Sequence, residues 1–414
     1  AQELQKHNYS VRVLEARDRI GGRVWTDREF LDFPLELGAE FVHGDRAVTW
    51  KYLKKAKLKT VHDGDYSTQA YEHPKKGLLS YKEACKMPDF EKVFDVEQIH
   101  MPQHDLTKKD VSLREWFKKF NLATHAREFA LRFLAHQYLT EPEKIGIADL
   151  AHEEKMYHQG DQDFRVLVGQ DKLIESMAKG LDIRLNSVVK KIRWNEKGVE
   201  VFIEKKKIPL KADQVVITIP ISLLQKKSIQ FSPALPAEKQ KAIRAIHTGP
   251  GLKIHLAFKK QFWGKRFDSF FSLGKISMWW SPSAAYNNVT PVLTGLVGGT
   301  HAVALNKSSE HEILEQAQDE LCRLFQSTNP RKYFLKGKVV SWINDPWSQG
   351  GYSYIPTGSY GAREVLAKPV KDILFFAGES TVHKSNPATV HGAIGTGLRA
   401  ANEIRHIFMN SPSP

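Results

Sequence analysis

The sequence is poor in cysteine and has no long apolar run. Only Cys85 and Cys322 occur among 414 residues, which is too few for a disulfide framework or a zinc site. No run of about 18 apolar residues is present, and this excludes a membrane-spanning helix within these residues. Two distant thiols are typical of a reducing compartment, so we expect a cytoplasmic protein without a metal centre.

Acidic residues are too few to balance the basic ones, and the formal net charge is +14. The lysines are nevertheless spread along the chain. Their longest cluster, at 204–208, has the pattern of a hairpin turn rather than of a nucleic-acid-binding arm. We therefore expect no nucleic-acid partner. A hydrophobic content of 41% in 414 residues predicts a globular protein with a sizeable core and two or three domains.

A glycine loop is absent where the start of the chain calls for one. Residues 1–7 have the pattern of a helix end, Asn8 is a plausible left-handed stop, and residues 10–14 form an apolar strand that ends at Glu15. This order matches the second half of a dinucleotide-binding βαβ unit, in which the acid binds a ribose hydroxyl. The matching G-x-G-x-x-G loop should lie about 20 residues before the acid.

That distance passes residue 1, and no G-x-G-x-x-G follows a strand elsewhere in the sequence. Either the chain is a fragment or this loop has been lost. We expect the 414 residues to bind a dinucleotide weakly, and an upstream segment of about 20–30 residues to restore binding. Taken alone, Glu15 is equally compatible with a solvated acid at a strand end.

The residues after Glu15 favour a nucleotide site. Gly21 and Gly22 allow a backbone to approach a pyrophosphate closely. Arginine pairs with phosphate through two parallel donors, and the same loop carries Arg17, Arg19 and Arg23.

Six segments resemble the flavin-dependent amine oxidase family, in family order. They are residues 11–26 (VRVLEARDRIGGRVWT), 35–44 (LELGAEFVHG), 181–192, 212–220, 249–258 (GPGLKIHLAF) and 373–404. The segments DPWSQGGYSY (345–354) and PATVHGA (387–393) are most similar to the polyamine oxidase and lysine-specific demethylase branch. The coiled-coil insertion of the demethylases is absent, so we do not expect a chromatin role.

The resemblance implies an α/β fold. We expect a doubly wound, Rossmann-like FAD-binding domain built from residues 1–55, 165–235 and 341–414, with its first strand missing. An α+β substrate domain, with a mixed sheet and a helical lid, is expected over residues 56–164 and 236–340.

The resemblance also implies FAD as the cofactor. It is expected to be non-covalent, because Gly351 stands where monoamine oxidases carry the cysteine that bonds the flavin. A buried strand ending in Gly-Glu (373–379) and a helix start after Pro387 suit a nucleotide site on general grounds. The residues that the resemblance assigns to FAD are Glu15, Arg17, Gly22, Arg23, Gly38, Ala39, Val189, Gly378, Glu379 and Val390.

Three residues are expected at the reacting centre. A lysine inside an apolar strand is usually an edge or snorkelling residue, but the resemblance implies that Lys253 holds a water against flavin N5. Tyr354, with Tyr352 nearby, is expected to form one wall beside the substrate nitrogen. The other wall falls on Thr389, where many relatives have a second tyrosine.

The expected reaction is FAD-dependent oxidation of a small-molecule amine, such as a polyamine. Hydride passes to flavin N5, the imine hydrolyses to an aldehyde, and dioxygen yields peroxide. Because the neutral amine reacts, activity should rise with pH. The alternatives are an L-amino-acid oxidase on the same fold, a flavin enzyme acting on carbon substrates, and an incomplete or non-catalytic binding protein. The sequence does not fix the oligomeric state.

Overall fold

The computed structural model describes residues 1–64, 68–160, 162–264 and 267–410, with side chains to residue 407. Within this part of the chain the strands are β1 (Arg12–Leu14), β2 (Thr26–Asp27), β3 (Leu35–Glu36), β4 (Val42–His43), β5 (Thr60–His62), β6 (Gln69–His73), β7 (Gly77–Ser80), β8 (Asp163–Val166), β9 (Asp182–Arg184), β10 (Val189–Asn195), β11 (Gly198–Ile203), β12 (Leu210–Ala212), β13 (Val215–Ile217), β14 (Gln230–Ser232), β15 (His247–Thr248), β16 (Gly251–Phe258), β17 (Ser269–Phe271), β18 (Met278–Trp280), β19 (Val292–Gly298), β20 (Phe334–Ser341), β21 (Ser353–Tyr354) and β22 (Leu374–Phe376).

The helices lie between these strands and at both ends. They are α1 (Gln2–Gln5), α2 (Thr49–Ala56), α3 (Tyr81–Ala84), α4 (Pro88–Asp95), α5 (Leu113–Phe117), α6 (Thr124–Gln137), α7 (Ile147–Met156), α8 (Asp171–Ala178), α9 (Ile221–Gln225), α10 (Ala237–Ala245), α11 (Gly299–Leu305), α12 (Glu310–Leu324), α13 (Ala362–Ala367) and α14 (Val390–Asn410). A π-helical turn covers Val96–His100, and 3₁₀ turns cover Pro282–Ala285, Pro330–Tyr333 and Glu379–Thr381. None of the described helices is both long enough and apolar enough to cross a bilayer.

The start of the chain follows the predicted helix–turn–strand order. Helix α1 is followed by Asn8 at φ 64°, the left-handed stop that its short polar side chain tolerates. Leu4 packs against the helix α14 residues Ala400 and Ile404. Strand β1 begins at Arg12, two residues later than predicted.

Parallel strand pairs place the ends of the chain beside its middle. β1 pairs in parallel with β9, and β13 pairs in parallel with β22. Within the described residues each pair forms a separate two-stranded sheet. All three residues of β22 are buried, which explains its unbroken apolar sequence. The lysine-rich residues 204–208 lie between the antiparallel strands β11 and β12, as predicted.

A seven-stranded mixed sheet forms the largest layer, in the order β20-β16-β19-β18-β17-β6-β7. All eight residues of β16 are buried, because β19 and β20 flank the strand and helix α12 covers one face. Two of those residues, Lys253 and His255, are polar, so they need partners inside the protein.

The helices of residues 88–156 pack on one another around Phe117, Leu131 and Ile147, which are fully buried. A three-stranded sheet, β4-β8-β5, connects this region to the start of the chain. The division of the chain into a cofactor domain and a substrate domain remains a prediction.

Candidate active site

The two ends of the chain meet at an ion pair. Arg23 Nη1 lies 3.0 Å from Glu379 Oε1 and donates to the Gly351 carbonyl at 2.6 Å. Burial raises the pKa of Glu379, but the charges of Arg23 and Arg363 outweigh burial, and the net shift is downward. The acid therefore stays ionised in the interior, and a loop from the start of the chain is fixed beside the strand that precedes the last helix.

Arg17 binds a carboxylate of this chain, and its role towards FAD stays a prediction. Its guanidinium makes two 2.7 Å hydrogen bonds to Asp345 and a third, of 2.9 Å, to Ser348 Oγ. Burial alone raises the pKa of Asp345, but the hydrogen bond and charge of Arg17 lower it overall. Arg17 thus anchors the segment around Asp345. Glu15 accepts the Arg17 amide at 2.8 Å and is partly buried.

Two glycines mark close approaches in this region. A Cβ on Gly38 would lie 1.9 Å from the Arg23 carbonyl oxygen, so only glycine fits there. The Ala39 amide donates to that same oxygen at 3.0 Å. Gly22 has φ 58°, and nothing lies within 4 Å of the Cβ that it lacks. The loop is therefore packed tightly on one side and open at Gly22.

Val189 starts β10 and is partly buried. The same segment contacts the backbone of Glu15, because the Ser187 amide donates to the Glu15 backbone carbonyl oxygen at 2.8 Å. The structure thus brings Val189 to within two residues of a direct contact with Glu15.

The start of α14 lies beside Glu379. Thr389 caps the helix by accepting the Gly392 amide at 3.0 Å, and Ala388, at φ 60°, donates its amide to Glu379 Oε2 at 3.2 Å. The amides of Val390 and His391 belong to the first turn, which leaves them without intrahelical acceptors. Gly378, at φ 111°, makes the turn from β22 towards this helix end.

Lys253 lies in a buried ionic cluster. Its Nζ donates to Glu40 Oε2 at 2.7 Å and to the Glu36 backbone oxygen at 3.1 Å. Glu40 Oε1 accepts Trp280 Nε1 at 3.0 Å and also Arg165. Burial raises the pKa of Glu40, but the charges of Lys253 and Arg165 outweigh burial and lower it to about 2. Lys253 is only 6% exposed, so it is not an edge residue.

Glu36 lies in the same cluster but in the opposite electrostatic situation. Burial raises the pKa of its carboxyl group to about 8, because its partners are the neutral Gln170 amide and Thr26 hydroxyl. At neutral pH the Glu36 carboxyl group therefore carries little charge, and Glu40 is the anion that faces Lys253.

The residues of β21 alternate in direction. Ser353 Oγ donates to Glu379 Oε2 at 2.6 Å. The neighbouring tyrosines have other partners: Tyr352 donates to the Gln137 carbonyl at 2.6 Å, whereas the Tyr354 hydroxyl lies 3.4 Å from His247 Nδ1. Tyr354 is 4% exposed and packs in the helical core. No hydrogen bond of the described residues joins Tyr354 to Thr389.

The charges that act on the two tyrosines also differ. Burial and then the Glu379 charge raise the pKa of Tyr352. For Tyr354, burial and then the Glu141 charge raise the pKa. Ser353, between the two tyrosines, is the residue whose side chain binds Glu379.

Several residues of the site were missed from sequence. Glu40, Arg165 and Arg363 are all buried and charged. An acid in the apolar segment LELGAEFV was the available signal for Glu40. Arg363 donates to Ser353 Oγ at 2.6 Å, and nothing in its own helix indicated that contact.

A further missed residue is Glu153 on α7, which is 9% exposed. It accepts Tyr138 Oη at 2.7 Å and Asn386 Nδ2 at 3.2 Å. Asn386 lies just before the turn that carries Ala388. Glu153 therefore connects the helical region to the start of α14.

Stability should depend on Glu153 and pH together. Burial raises the pKa of Glu153 to about 7, above its value of about 4.3 in an unfolded chain. A carboxyl group whose pKa is raised in the folded protein stabilises the fold while it is protonated. This contribution is lost as pH rises towards about 7. The free energy of unfolding of Glu153→Gln, relative to that of the parent, should therefore increase between about pH 5 and pH 8 by on the order of 2 kcal/mol. Urea unfolding at both pH values measures this, and parallel curves for the two proteins would contradict it.

Comparison with known proteins places the chain among flavoproteins. The family model for flavin-containing amine oxidoreductases matches residues 1–405. Polyamine oxidase 2 of Arabidopsis thaliana is 31% identical, over 98% of this chain and 85% of its own length. Human lysine-specific histone demethylase 2 is 30% identical, over 97% of this chain and 51% of its own length. The chain spans about half the length, or less, of the first demethylase relatives that it matches.

Solved structures confirm the predicted fold. A redesigned putrescine oxidase aligns with a TM-score of 0.88 at 22% identity, over 98% of this chain and 96% of that one. Cyclohexylamine oxidase from Brevibacterium oxydans aligns with a TM-score of 0.86 at 18% identity, over 99% and 96%. At these identities the likeness concerns the fold alone. The family match over nearly the whole length shows that this chain belongs to the flavin-containing amine oxidoreductases.

Proposed function

We propose that the protein oxidises a small amine with non-covalently bound FAD and dioxygen. The observation that carries the proposal is the contact of Arg23 with Glu379 beside the start of α14. The Arg23 carbonyl oxygen also accepts the amide of Ala39, the residue before Glu40, which binds Lys253. The Arg23–Glu379 contact joins residues 356 positions apart. Such an assembly from distant segments is typical of a nucleotide site at the carboxyl ends of parallel strands.

The residues around this contact fit a flavin dinucleotide. Arg23 and the open backbone at Gly22 suit a pyrophosphate, and Glu15 and Glu379 supply acceptors for sugar and ribityl hydroxyls. The free amides of Val390 and His391 suit the carbonyl end of the ring. Two atoms near the helix start, His391 Nε2 and Asn386 Oδ1, are buried without a partner in the described residues. Gly351 offers no sulfur for a covalent link.

The bound flavin would supply the redox chemistry, since it takes a hydride from the substrate and passes both electrons to dioxygen. The overall change is R–CH2–NH2 + O2 + H2O → R–CHO + NH3 + H2O2. The protein's part is to bind the neutral amine, to exclude water and to hold the Lys253 ammonium at the reacting end. Because the amine reacts without its proton, activity should rise with pH until another group titrates.

Relatives support an amine as the substrate class. One solved structure is described as putrescine oxidase bound to putrescine, and another is named for cyclohexylamine. The site itself supports the same class, because an aromatic wall and buried acids suit an amine better than a carboxylate. Tyr354, with Tyr352 nearby, is our candidate for one wall, and Thr389 is our candidate for the other.

An amino-acid oxidase would need an arginine for the substrate carboxylate. Three arginines of the site other than Arg23 are already paired with residues of this chain. Arg17 binds Asp345, Arg165 binds Glu40 and Asp63, and Arg363 contacts Ser353 and, at 3.5 Å, Asp149. These pairings favour an amine over an amino acid.

Replacing each of the two tyrosines by leucine should show which one contacts the substrate and which one only stabilises the fold. Tyr354→Leu should lower kcat/KM for amines by about tenfold or more, because the substrate loses its orienting surface. Tyr352→Leu should instead lower the melting temperature, by a few degrees, through the lost hydrogen bond to the Gln137 carbonyl. Steady-state kinetics per folded molecule, with calorimetry, distinguish the two. A selective loss of turnover in Tyr352→Leu would assign the wall to Tyr352.

The proposal is tested with a substrate panel. Putrescine, spermidine, spermine, benzylamine and several L-amino acids are supplied to the FAD-loaded protein, and peroxide is detected. We expect peroxide with amines and none with amino acids. Peroxide with amino acids alone would overturn the assignment, and a protein that binds FAD but accepts none of them would favour a binding role.

A further inference from the structure

The Lys253 ammonium is held in one orientation. An ammonium has three donors, and two of them are used by Glu40 Oε2 and the Glu36 backbone oxygen. The tetrahedral geometry of the nitrogen then fixes the direction of the third. The neighbouring strands β19 and β20 pair with β16 on both sides of Lys253, so the lysine backbone is fixed as well.

Glu40 is itself held at both oxygens. Oε2 binds Lys253, while Oε1 binds Arg165 and the Trp280 indole. Arg165 is in turn paired with Asp63. Two cations alternate with two anions along this chain of contacts, so the charge of the cluster is balanced. Glu40 is the member that touches the lysine.

The side chains of the cluster come from separate parts of the fold. Glu40 follows β3, Lys253 lies on β16, Trp280 ends β18, Arg165 lies on β8 and Asp63 follows β5. The Lys253 Nζ also lies 5.1 Å from the centre of the Trp280 ring, within the range of a cation–π contact. Among the titratable groups of this cluster, Glu40 binds Lys253 directly, the carboxyl group of Glu36 and the ring of His255 are affected by the lysine charge, and Arg165 and Asp63 follow Glu40 in the chain of contacts.

We propose that Glu40 is the positioning residue for Lys253: it supplies the counter-charge of the ammonium and aims the third donor of the ammonium at the reacting end of the site. This inference rests on the proposed function, in which Lys253 serves the flavin and dioxygen. Without Glu40, the buried ammonium shares its cluster with Arg165, has no counter-charge and loses the acceptor that fixes its orientation. Glu40 acts through Lys253 and is not itself in contact with substrate.

The kinetic test uses Glu40→Gln, which keeps the shape and one acceptor oxygen but replaces the other oxygen by an NH2 group and removes the charge. We expect reoxidation of the bound flavin by dioxygen to be about tenfold or more slower than in the parent, and Glu40→Gln to add nothing to the loss in a Lys253→Met background, because Glu40 acts through Lys253. Asp27→Asn is the matched control, because Asp27 pairs with Lys338 on the neighbouring strand β20. It should follow the parent rate.

A second test needs no cofactor. Glu40→Gln should lower the melting temperature, because it leaves a buried cation uncompensated. Adding Lys253→Met removes that cation, so the double variant should melt above Glu40→Gln alone. Independent sites would give additive losses instead.

The possible outcomes distinguish a failure of the Glu40 role from a failure of the proposed function. If Lys253→Met slows reoxidation while Glu40→Gln follows the parent rate, the positioning role of Glu40 is wrong and the proposed function stands. If Lys253→Met itself has no effect, the proposed role of the lysine fails first. A loss in Glu40→Gln that adds to the loss in Lys253→Met, both in rate and in melting temperature, would reduce Glu40 to a structural residue.

Discussion

Lys253→Met should slow the flavin half-reactions by about 100-fold while FAD stays bound. A rate loss of this size is expected because the variant loses one fixed, charged donor in a buried position. Methionine has a similar length and no charge, so β16 keeps its packing. Stopped-flow absorbance of the loaded variant, mixed with amine and then with dioxygen, gives the reduction and reoxidation rates separately.

The matched control for this change is Lys338→Met. Lys338 lies on the adjacent strand β20 and pairs with Asp27, so the same substitution is made one strand away from the site. Its rates should stay within about twofold of the parent, since a partly exposed pair contributes little. Equal rates for Lys253→Met and the parent would remove Lys253 from the mechanism.

Arg23→Ala should weaken FAD binding by about 100-fold. The change removes a donor suited to a pyrophosphate, which is worth about 2–3 kcal/mol for a charged hydrogen bond. It also leaves the buried Glu379 without the nearer of its cationic partners. Titration of the apoprotein with FAD, followed by flavin fluorescence, gives the dissociation constant.

Arg12→Ala serves as the comparison. Arg12 also pairs with a carboxylate, Asp182 at 2.7 Å, but both side chains are exposed. FAD affinity should not change in this variant. Tight binding by Arg23→Ala would contradict the assignment of its loop to the cofactor.

The features that sequence predicted well are local. Asn8 ends its helix because a short polar side chain tolerates the left-handed region, and β22 is buried on both faces, as its apolar run requires. The capping box of Ser309 and Glu312 at the start of α12 is of the same local kind, because its two residues lie three positions apart. Each of these depends on neighbours within a few residues.

The features that sequence missed depend on distant partners. The pairing of Arg17 with Asp345 joins residues 328 positions apart. The pairing of Glu40 with Lys253 spans 213 residues and is set by the relation between two sheets. No periodicity or local pattern encodes such contacts, so they could be identified only from the fold.

The central claim is that electrons from an amine enter a flavin held between Arg23, Glu379 and Lys253. The most direct measurement is anaerobic mixing of the FAD-loaded protein with putrescine, benzylamine or an L-amino acid while the absorbance of the oxidised flavin is followed. The account predicts rapid bleaching by at least one amine, slowed in Lys253→Met, with full recovery of colour when dioxygen is admitted. A flavin that binds tightly but is bleached by none of the amines would contradict it.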